Sequence, residues 1–438
     1  MQTILIAGAG KSSIYLIEYI LTHAQRNKWK VIVADGDAAA IKEKTGGNKH
    51  AEAAVIDITD ATAREALVKR ADIVVSLMPP HLHLLLAKDC LKHKKDLITS
   101  SYISEEMKAM SQEVKDAGLM FMCEMGLDPG IDHMTANKII HSIHRAAGII
   151  TSFKSYCGGL IAPESDNNPW HYKFTWNPKN VISAGAAGAQ YLSKGKQVDV
   201  PYEKMFEQNK KIQVPGLGSL AYYPNRDSLH YLGIYDVPDT QTFMRATLRH
   251  PSFCKGWDAI IALGLTDAND AHEGKGSTYA AWMKKKTGLA DLKQVATKLG
   301  TAADEKVISM LQWLGLYSET PLPAGKHSSA DILLALLQEK WKMQPGDKDM
   351  VVMQHEFEYT HRDKKIALTS SMVITGDDAE HSAMAKTVGL PIAILAKLVL
   401  GKKIVKPLGV VLPNMATVYR PVLTELAHYG ITFNEEVA

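Results

Sequence analysis

Cysteine is scarce. Four thiols (Cys90, Cys123, Cys157, Cys254) are scattered over 438 residues with no CxxC pair, which excludes a disulfide framework and points to a reducing compartment. Excess charge of either sign is missing as well. Lys plus Arg number 50 against 47 Asp plus Glu, a net charge of +3, and no dense basic run occurs. Nucleic-acid binding through phosphate neutralisation is therefore not expected. Long apolar runs are absent: Pro391–Leu400 is interrupted by Lys397 and falls short of the roughly 20 residues a membrane span needs. The N-terminus enters Thr3-Ile4-Leu5-Ile6-Ala7 with no basic flank or small-residue cleavage site, so no leader is expected and the chain reads as cytoplasmic. Repeats and low-complexity tracts are lacking too. What remains, 46% hydrophobic and 22% charged residues, is ordinary for a globular enzyme of two or three domains.

The first third alternates short apolar runs with helix-length segments. Thr3–Ala7, Lys30–Ala34, Ala53–Asp57, Ile73–Leu77, Leu97–Thr99 and Leu119–Cys123 read as strands, and Ser12–Ala24, Ala61–Lys69, His83–His93 and Glu105–Ala117 as helices. This rhythm predicts an α/β fold, a doubly wound parallel sheet with helices on both faces. It ends near Gly126-Leu127-Asp128-Pro129-Gly130. From Ile150 to about Leu248 aromatic residues, Gly and Asn rise, which suggests strands and structured loops. Glu305–Leu314 and Ser329–Glu339 read as helices, Met350–Glu358 and Lys365–Ile374 as strands, and the segment from Ala379 as helical.

Gly8-Ala9-Gly10-Lys11-Ser12-Ser13 follows the first strand and opens the first helix. A G-x-G turn lets backbone amides approach a pyrophosphate at a helix N-terminus. Ser13 replaces the usual third glycine, which predicts looser helix–strand packing or a hydroxyl contact to phosphate. Asp35 ends the second strand about 20 residues further on, where a carboxylate binds ribose hydroxyls and repels a 2′-phosphate. The expectation is a Rossmann-type domain for NAD, with NADP possible. Asp57 and Ile58 would flank the adenine, and Leu77, Met78 and Pro79 the nicotinamide ribose. A P-loop is excluded, because G-x-x-x-x-G-K-[ST] does not occur. His81 and His83 have the spacing of alternating strand residues but no evident third ligand, so no metal is assigned.

Several strings are too polar and too specific for ordinary core: Thr99-Ser100-Ser101-Tyr102, Gly126 to His133, Ser155-Tyr156-Cys157-Gly158-Gly159-Leu160, Tyr172-Lys173-Phe174-Thr175-Trp176, Tyr223-Pro224-Asn225-Arg226-Asp227-Ser228 and Arg245-Ala246-Thr247-Leu248-Arg249. In this order the chain resembles the saccharopine dehydrogenase (L-glutamate-forming) family, also called saccharopine reductase, including the dehydrogenase half of aminoadipic semialdehyde synthase. Ala246 and His250 depart from the pattern, standing where glycine and an aromatic residue are expected. The resemblance implies oxidation of the secondary amine of saccharopine by a nicotinamide cofactor, then hydrolysis to L-glutamate and 2-aminoadipate 6-semialdehyde. It places Asp128, Tyr102 and Cys157 around the reacting amine. Arg226 suits a bidentate carboxylate clamp, with Arg245 as a second. Thr247, Ser101 and the amides about Cys157 and Gly158 would be neutral donors, and Phe174 part of the wall. The same residues also allow structural roles: Asp128 as a turn starter, Tyr102 as core, Cys157 as packing, and Arg226 as a partner of Asp227.

The expected organisation has three parts. A dinucleotide-binding domain covers 1–128 and is completed by about 380–438. A mixed-sheet substrate and dimerisation domain covers 129–248 and 346–379, and a mostly helical insert 249–345. Cofactor and substrate are expected in a cleft between the first two. Expected partners are the small-molecule substrate, a second copy of the chain in a homodimer, and a separate lysine–ketoglutarate reductase, with no nucleic acid and no membrane. Two rivals remain open: a carboxyspermidine- or homospermidine-type enzyme, whose pocket should be acidic where Arg226 stands, and a non-catalytic nucleotide-binding protein of the same fold.

Overall fold

The computed structural model describes residues 1–207, 210–300 and 304–437. It divides into two compact units, Met1–Gly148 with Ile374–Asn434, and Ile149–Val373 with the tail from Glu435. The three expected parts are thus two units. The boundary after Asp128 moves to Gly148 because the helix Ile131–Arg145 packs on the late helix Ala416–Ala427 of the first unit.

The first unit is built on β1 (Gln2–Ala7), β2 (Trp29–Asp35), β3 (Ala51–Val55), β4 (Ile73–Ser76), β5 (Asp96–Thr99) and β6 (Met120–Met122). A late strand, Gly409–Val411, extends the sheet beyond β6. Every pairing is parallel, in the order Gly409–Val411, β6, β5, β4, β1, β2, β3. Ile4, Leu5 and Ile6, like Val31, Ile32 and Val33, are buried without alternation, as parallel strands covered on both faces must be. The strand order reverses between β1 and β4, the switch point at whose carboxyl edge ligands bind in doubly wound sheets.

Local chemistry explains the helices. Asp37 accepts from the Ala39 and Ala40 amides and so starts Ala38–Thr45, a helix the sequence reading omitted, and Asp60 does the same for Ala61–Arg70. The expected helix Glu105–Ala117 is broken at Met110 into Glu105–Ala109 and Ser111–Asp116. His81 and His83 are not on a strand: Pro80–Leu82 is a 3₁₀ turn, and His83 opens the helix His83–Lys92. The apolar run near residue 391 is longer than it looked. The helix Ala383–Leu400 is long and apolar enough to cross a membrane, yet 72% of it is buried inside the protein. It lies on the first helix, Ile14–Asn27, so closely that a Cβ on Gly389 would come within 3.0 Å of the Leu16 nitrogen and 3.2 Å of the Ser12 carbonyl.

The second unit centres on a mixed sheet. Its strands are β7 (Ile149–Ile161), β8 (Ala189–Ser193), β9 (Lys196–Val200), β10 (Lys210–Val214), β11 (Gly218–Pro224), β12 (Arg226–Asp227) and β13 (Thr242–Arg249), with a separate ribbon of β14 (His272–Glu273) and β15 (Lys326–His327), then β16 (Asp349–His361) and β17 (Lys364–Thr375). The main path runs β10, β11, β13, β7, β16, β17 and the terminal Asn434–Val437, with β8, β9 and β12 at its flank. β13 and β7 are parallel, and β7 and β16 antiparallel. One core holds Tyr156, Leu160, Met244, Ala246, Leu248, Met350 and Val352. A second joins Trp170, Tyr172, Phe174 and Tyr223 to the helices of residues 251–340, so the expected helical insert shares its core with the sheet domain.

Filling the space at Gly389 tests the packing of the first unit. Gly389→Val should destabilise the protein by about 1–3 kcal/mol through overpacking, read as a lower midpoint of thermal or denaturant unfolding. An unchanged midpoint would show that the two helices part freely there.

Candidate active site

The turn after β1 is fixed from three directions. Gly8 has φ +108°, and a Cβ there would meet the Leu77 backbone at 3.1 Å, so β1 and the residue after β4 approach as only glycine permits. The Ala9 amide donates to Asp35 Oδ2 at 2.7 Å and the Asp37 amide to Oδ1 at 2.9 Å, so the Asp35 carboxylate ties the turn to the end of β2. Ser13 is buried and its hydroxyl donates to the Gly10 carbonyl at 2.8 Å. That hydroxyl closes the turn, and the expected phosphate contact gives way to this bond. The tight approach that the missing third glycine would have served is made by Gly389 on the other helix. Gly10 is the opposite case, because a Cβ there would meet no atom within 4 Å. The helix that begins at Ile14 has no acidic residue in its first turn, and Lys11 and Ser12 lead into it. Open space at a glycine beside a helix N-terminus fits a dinucleotide pyrophosphate.

A cavity of about 450 Å³ opens at the carboxyl ends of β2 and β3, with Asp35, Gly36, Asp57, Ile58, Met78 and Leu82 in its lining. Among the described residues no lysine or arginine lines it. The Thr59 amide and hydroxyl hold the Asp57 carboxyl below its ordinary range. Leu77 and Pro79 lie beside the cavity in sequence but outside its lining.

Beyond β5 and β6 the same unit carries the expected reacting groups. Tyr102 follows β5, and its hydroxyl donates to Asp128 Oδ1 at 3.4 Å. Between Phe121 and Gly130 only Asp128 escapes full burial. Its turn is wedged in place: a Cβ on Gly126 would lie 3.0 Å from Ser100 Cβ, and one on Gly130, at φ +147°, would lie 2.0 Å from the Gly126 carbonyl. Ser101 has a partner that sequence reading missed. His83, buried behind it, contacts Ser101 Oγ through Nε2 and Ser76 Oγ through Nδ1, each at 2.7 Å. Burial, aided by the His81 charge, pushes the His83 pKa down to about 4. The ring is neutral at pH 7, donating through one nitrogen and accepting at the other. Two hydroxyl-bearing strand ends around one histidine were the signal; strand-spaced metal ligation was the wrong frame.

The second unit carries the cationic groups. Alternation along β13 puts Arg245, Thr247 and Arg249 on one face. Thr247 is level with Tyr223 of β11 and Cys157 of β7, and Arg245 with Ser155. The Arg245 guanidinium lies 4.5 Å from the Tyr231 ring. Arg249, absent from the sequence expectation, is only 3% exposed. Its guanidinium sits 5.2 Å from the Tyr172 ring and 5.5 Å from Phe253, with one bond to the Leu248 carbonyl. No carboxylate pairs with it among the described residues. Arg226 is exposed on β12 with a left-handed backbone, φ +50°. Asp227, its neighbour, accepts from the Leu229 amide. Gly158 lies in an interior strand, where amides face ladder partners, and a Cβ there would come within 2.5 Å of the Leu248 carbonyl. Its lack of a side chain answers strand packing rather than an open donor site. Phe174 is buried among Tyr172 and Trp341, as core and not as wall. Cys157 is buried and forms no disulfide among the described residues.

Against known proteins, residues 4–122 match the model of the saccharopine dehydrogenase NADP binding domain, and residues 126–431 that of the saccharopine dehydrogenase C-terminal domain. The chain is 35% identical over 425 residues to saccharopine dehydrogenase [NADP(+), L-glutamate-forming] of Pyricularia oryzae, covering 93% of this chain and 94% of that one. It is 34% identical to mitochondrial alpha-aminoadipic semialdehyde synthase of Bos taurus, covering 99% of this chain but 48% of that one. Among solved structures, apo saccharopine dehydrogenase (L-Glu forming) from Saccharomyces cerevisiae covers both chains completely, with a TM-score of 0.88 at 32% identity.

The buried histidine generates a pH prediction. In the unfolded chain His83 takes a proton near pH 6.5, and in the folded protein only near 4. The unfolded state therefore binds more protons across that window, and stability falls as pH drops through it. The contribution amounts to about 3 kcal/mol. Denaturant unfolding of wild type and His83→Gln at pH 7 and pH 4 should show a markedly smaller acid loss in the variant; equal losses would place the effect elsewhere.

Proposed function

We propose that this chain, which belongs to the saccharopine dehydrogenase family, oxidises the secondary amine of saccharopine with a nicotinamide dinucleotide, giving L-glutamate and 2-aminoadipate 6-semialdehyde in lysine metabolism. A dinucleotide, when bound, supplies the hydride acceptor. The substrate amine gives up a proton, hydride leaves the adjacent carbon, water adds to the resulting imine, and the C–N bond breaks.

Asp128 is assigned to hold the protonated amine and take its proton, and the Tyr102 hydroxyl to direct that carboxylate and the incoming water. Ser101, kept in orientation by neutral His83, is a neutral donor, as is Thr247. Arg245 and Arg226 are assigned to the substrate carboxylates, where forked donors hold charge and orientation together. Cys157 is assigned a contact beside them. The observation that carries the reading is the likeness along the full length of both units, with Tyr102 bonded to the one accessible carboxylate of an otherwise buried turn.

Saccharopine should reduce the dinucleotide, followed by absorbance of the reduced nicotinamide, with glutamate appearing in equal amount. No turnover at any pH would favour a nucleotide-binding protein without this activity. Arg245→Met should raise the saccharopine KM on the order of 100-fold while shifting the dinucleotide KM by about 2-fold or less; equal shifts would remove the clamp.

The preferred cofactor in this reading is NAD. What supports it is the pair of carboxylates, Asp35 and Asp57, in a cavity lined by no cationic side chain among the described residues, which would repel a 2′-phosphate. The Pyricularia oryzae relative carries NADP(+) in its name, and the family model that matches residues 4–122 is that of an NADP binding domain, so cofactor choice is where this chain is expected to depart from them. Wild type should favour NAD over NADP by about 10-fold or more in kcat/KM, and Asp35→Ala should narrow that ratio. A preference of wild type for NADP would overturn the assignment.

A further inference from the structure

We propose that Glu124 is a positioning residue for the reaction assigned above: it clamps the segment that bears Tyr102 and fastens it to the segment that bears Asp128. The proposal rests on that reading of the reaction, but its geometry is independent of it.

Glu124 lies just past β6 and is 2% exposed. Its amide donates to the Ser101 carbonyl at 3.0 Å, and its Oε1 accepts from the Ile103 amide at 3.1 Å. The two residues flanking Tyr102 are therefore both held by this one residue, with Tyr102 between the two bonds. The other carboxylate oxygen, Oε2, lies 2.8 Å from Nε2 of His133, which is fully buried. His133 sits in the first turn of Ile131–Arg145, directly after the Asp128 turn. Next to it, Asp132 accepts from the Gly130 amide at 2.6 Å, closing the far side of that turn. A chain of short bonds thus runs from the backbone around Tyr102, through Glu124 and His133, to the helix that anchors Asp128. Tyr102 and Asp128 meet at its open end.

Two features mark the clamp as more than packing. Glu124 adopts φ +55°, a left-handed backbone that is costly for a residue with a side chain. A carboxylate is also expensive to bury unless its oxygens are bonded. Both costs fall on the residue that fixes the Tyr102 loop, and neither would be needed to fill the same volume with an apolar side chain. The 3.4 Å bond from Tyr102 to Asp128 is long, so a shift of a few tenths of an ångström in the loop would break it, and reacting groups held loosely lose rate steeply.

The test is a double-mutant cycle on the intact enzyme. Glu124→Ala should lower kcat for saccharopine on the order of 100-fold while the dinucleotide KM stays within about 2-fold. Glu124→Gln keeps an acceptor for the Ile103 amide and should recover to within about 10-fold of wild type. In a Tyr102→Phe background, Glu124→Ala should cost less than about 3-fold more, because its effect passes through Tyr102. A kcat near wild type in Glu124→Ala, or full additivity with Tyr102→Phe, would overturn the proposal. If Glu124→Ala does not fold, His133→Asn enters the same cycle and decides it. If wild type fails to turn over saccharopine, the reaction is wrong. The clamp is then judged by a crystal structure of Glu124→Ala or, if that variant does not fold, of His133→Asn, where Tyr102 Oη should move out of hydrogen-bond reach of Asp128; an unchanged distance would dismiss it.

Discussion

The close approach of the Gly126–Gly130 turn to Ser100 is the constraint on which the reactive end of the first unit depends. Two glycines without side chains let backbone meet backbone at distances no other residue allows. The consequence is geometric. Ten residues from Phe121 to Gly130 pass through the protein with a single partly exposed member, Asp128, and the Tyr102 hydroxyl reaches it. A carboxylate presented from a buried turn, with the Tyr102 hydroxyl on it, fits the proton transfer proposed for it.

The second unit solves a different problem, which is to hold guanidinium groups in a fixed place on one strand face. Strand alternation sends Arg245, Thr247 and Arg249 to one face of β13 while Met244, Ala246 and Leu248 enter the opposite core. Both guanidinium groups lie over aromatic rings, which stabilises the charge and leaves its hydrogen-bonding edges directional. Arg249 shows the cost of this arrangement most plainly, with burial, rings, one carbonyl and, among the described residues, no carboxylate. For a substrate bearing three carboxylates, positive charge held in a fixed frame is the appropriate counterpart.

Much of this was legible in the sequence because local signals and tertiary contacts agree there. β1 to β6 fall on the apolar runs, and Gly8 and Asp35 stand where a glycine turn and an acidic strand end were expected. The misses share one cause: they depend on contacts far along the chain. Ser13 read as a phosphate ligand because its real partner, the Gly10 carbonyl, is visible only once the turn is folded, and the packing duty of the absent glycine had moved to Gly389. The role of His83 went unseen because sequence spacing does not reveal Ser76 and Ser101 converging on one ring. Phe174 looked like a pocket wall because nothing near it in sequence shows Trp341 covering it. The boundary expected at Asp128 followed turn-forming residues, whereas the next helix is held in the first unit by a partner almost three hundred residues away.

The central claim is that Asp128 receives the proton of the substrate amine. The pH dependence of kcat/KM for saccharopine, compared between wild type and Asp128→Asn at saturating dinucleotide, tests it most directly. The account predicts a rate lowered by about 10²–10⁴-fold and loss of the acid limb that the carboxylate imposes, with dinucleotide affinity intact. A variant with the wild-type rate and an unchanged profile would contradict it.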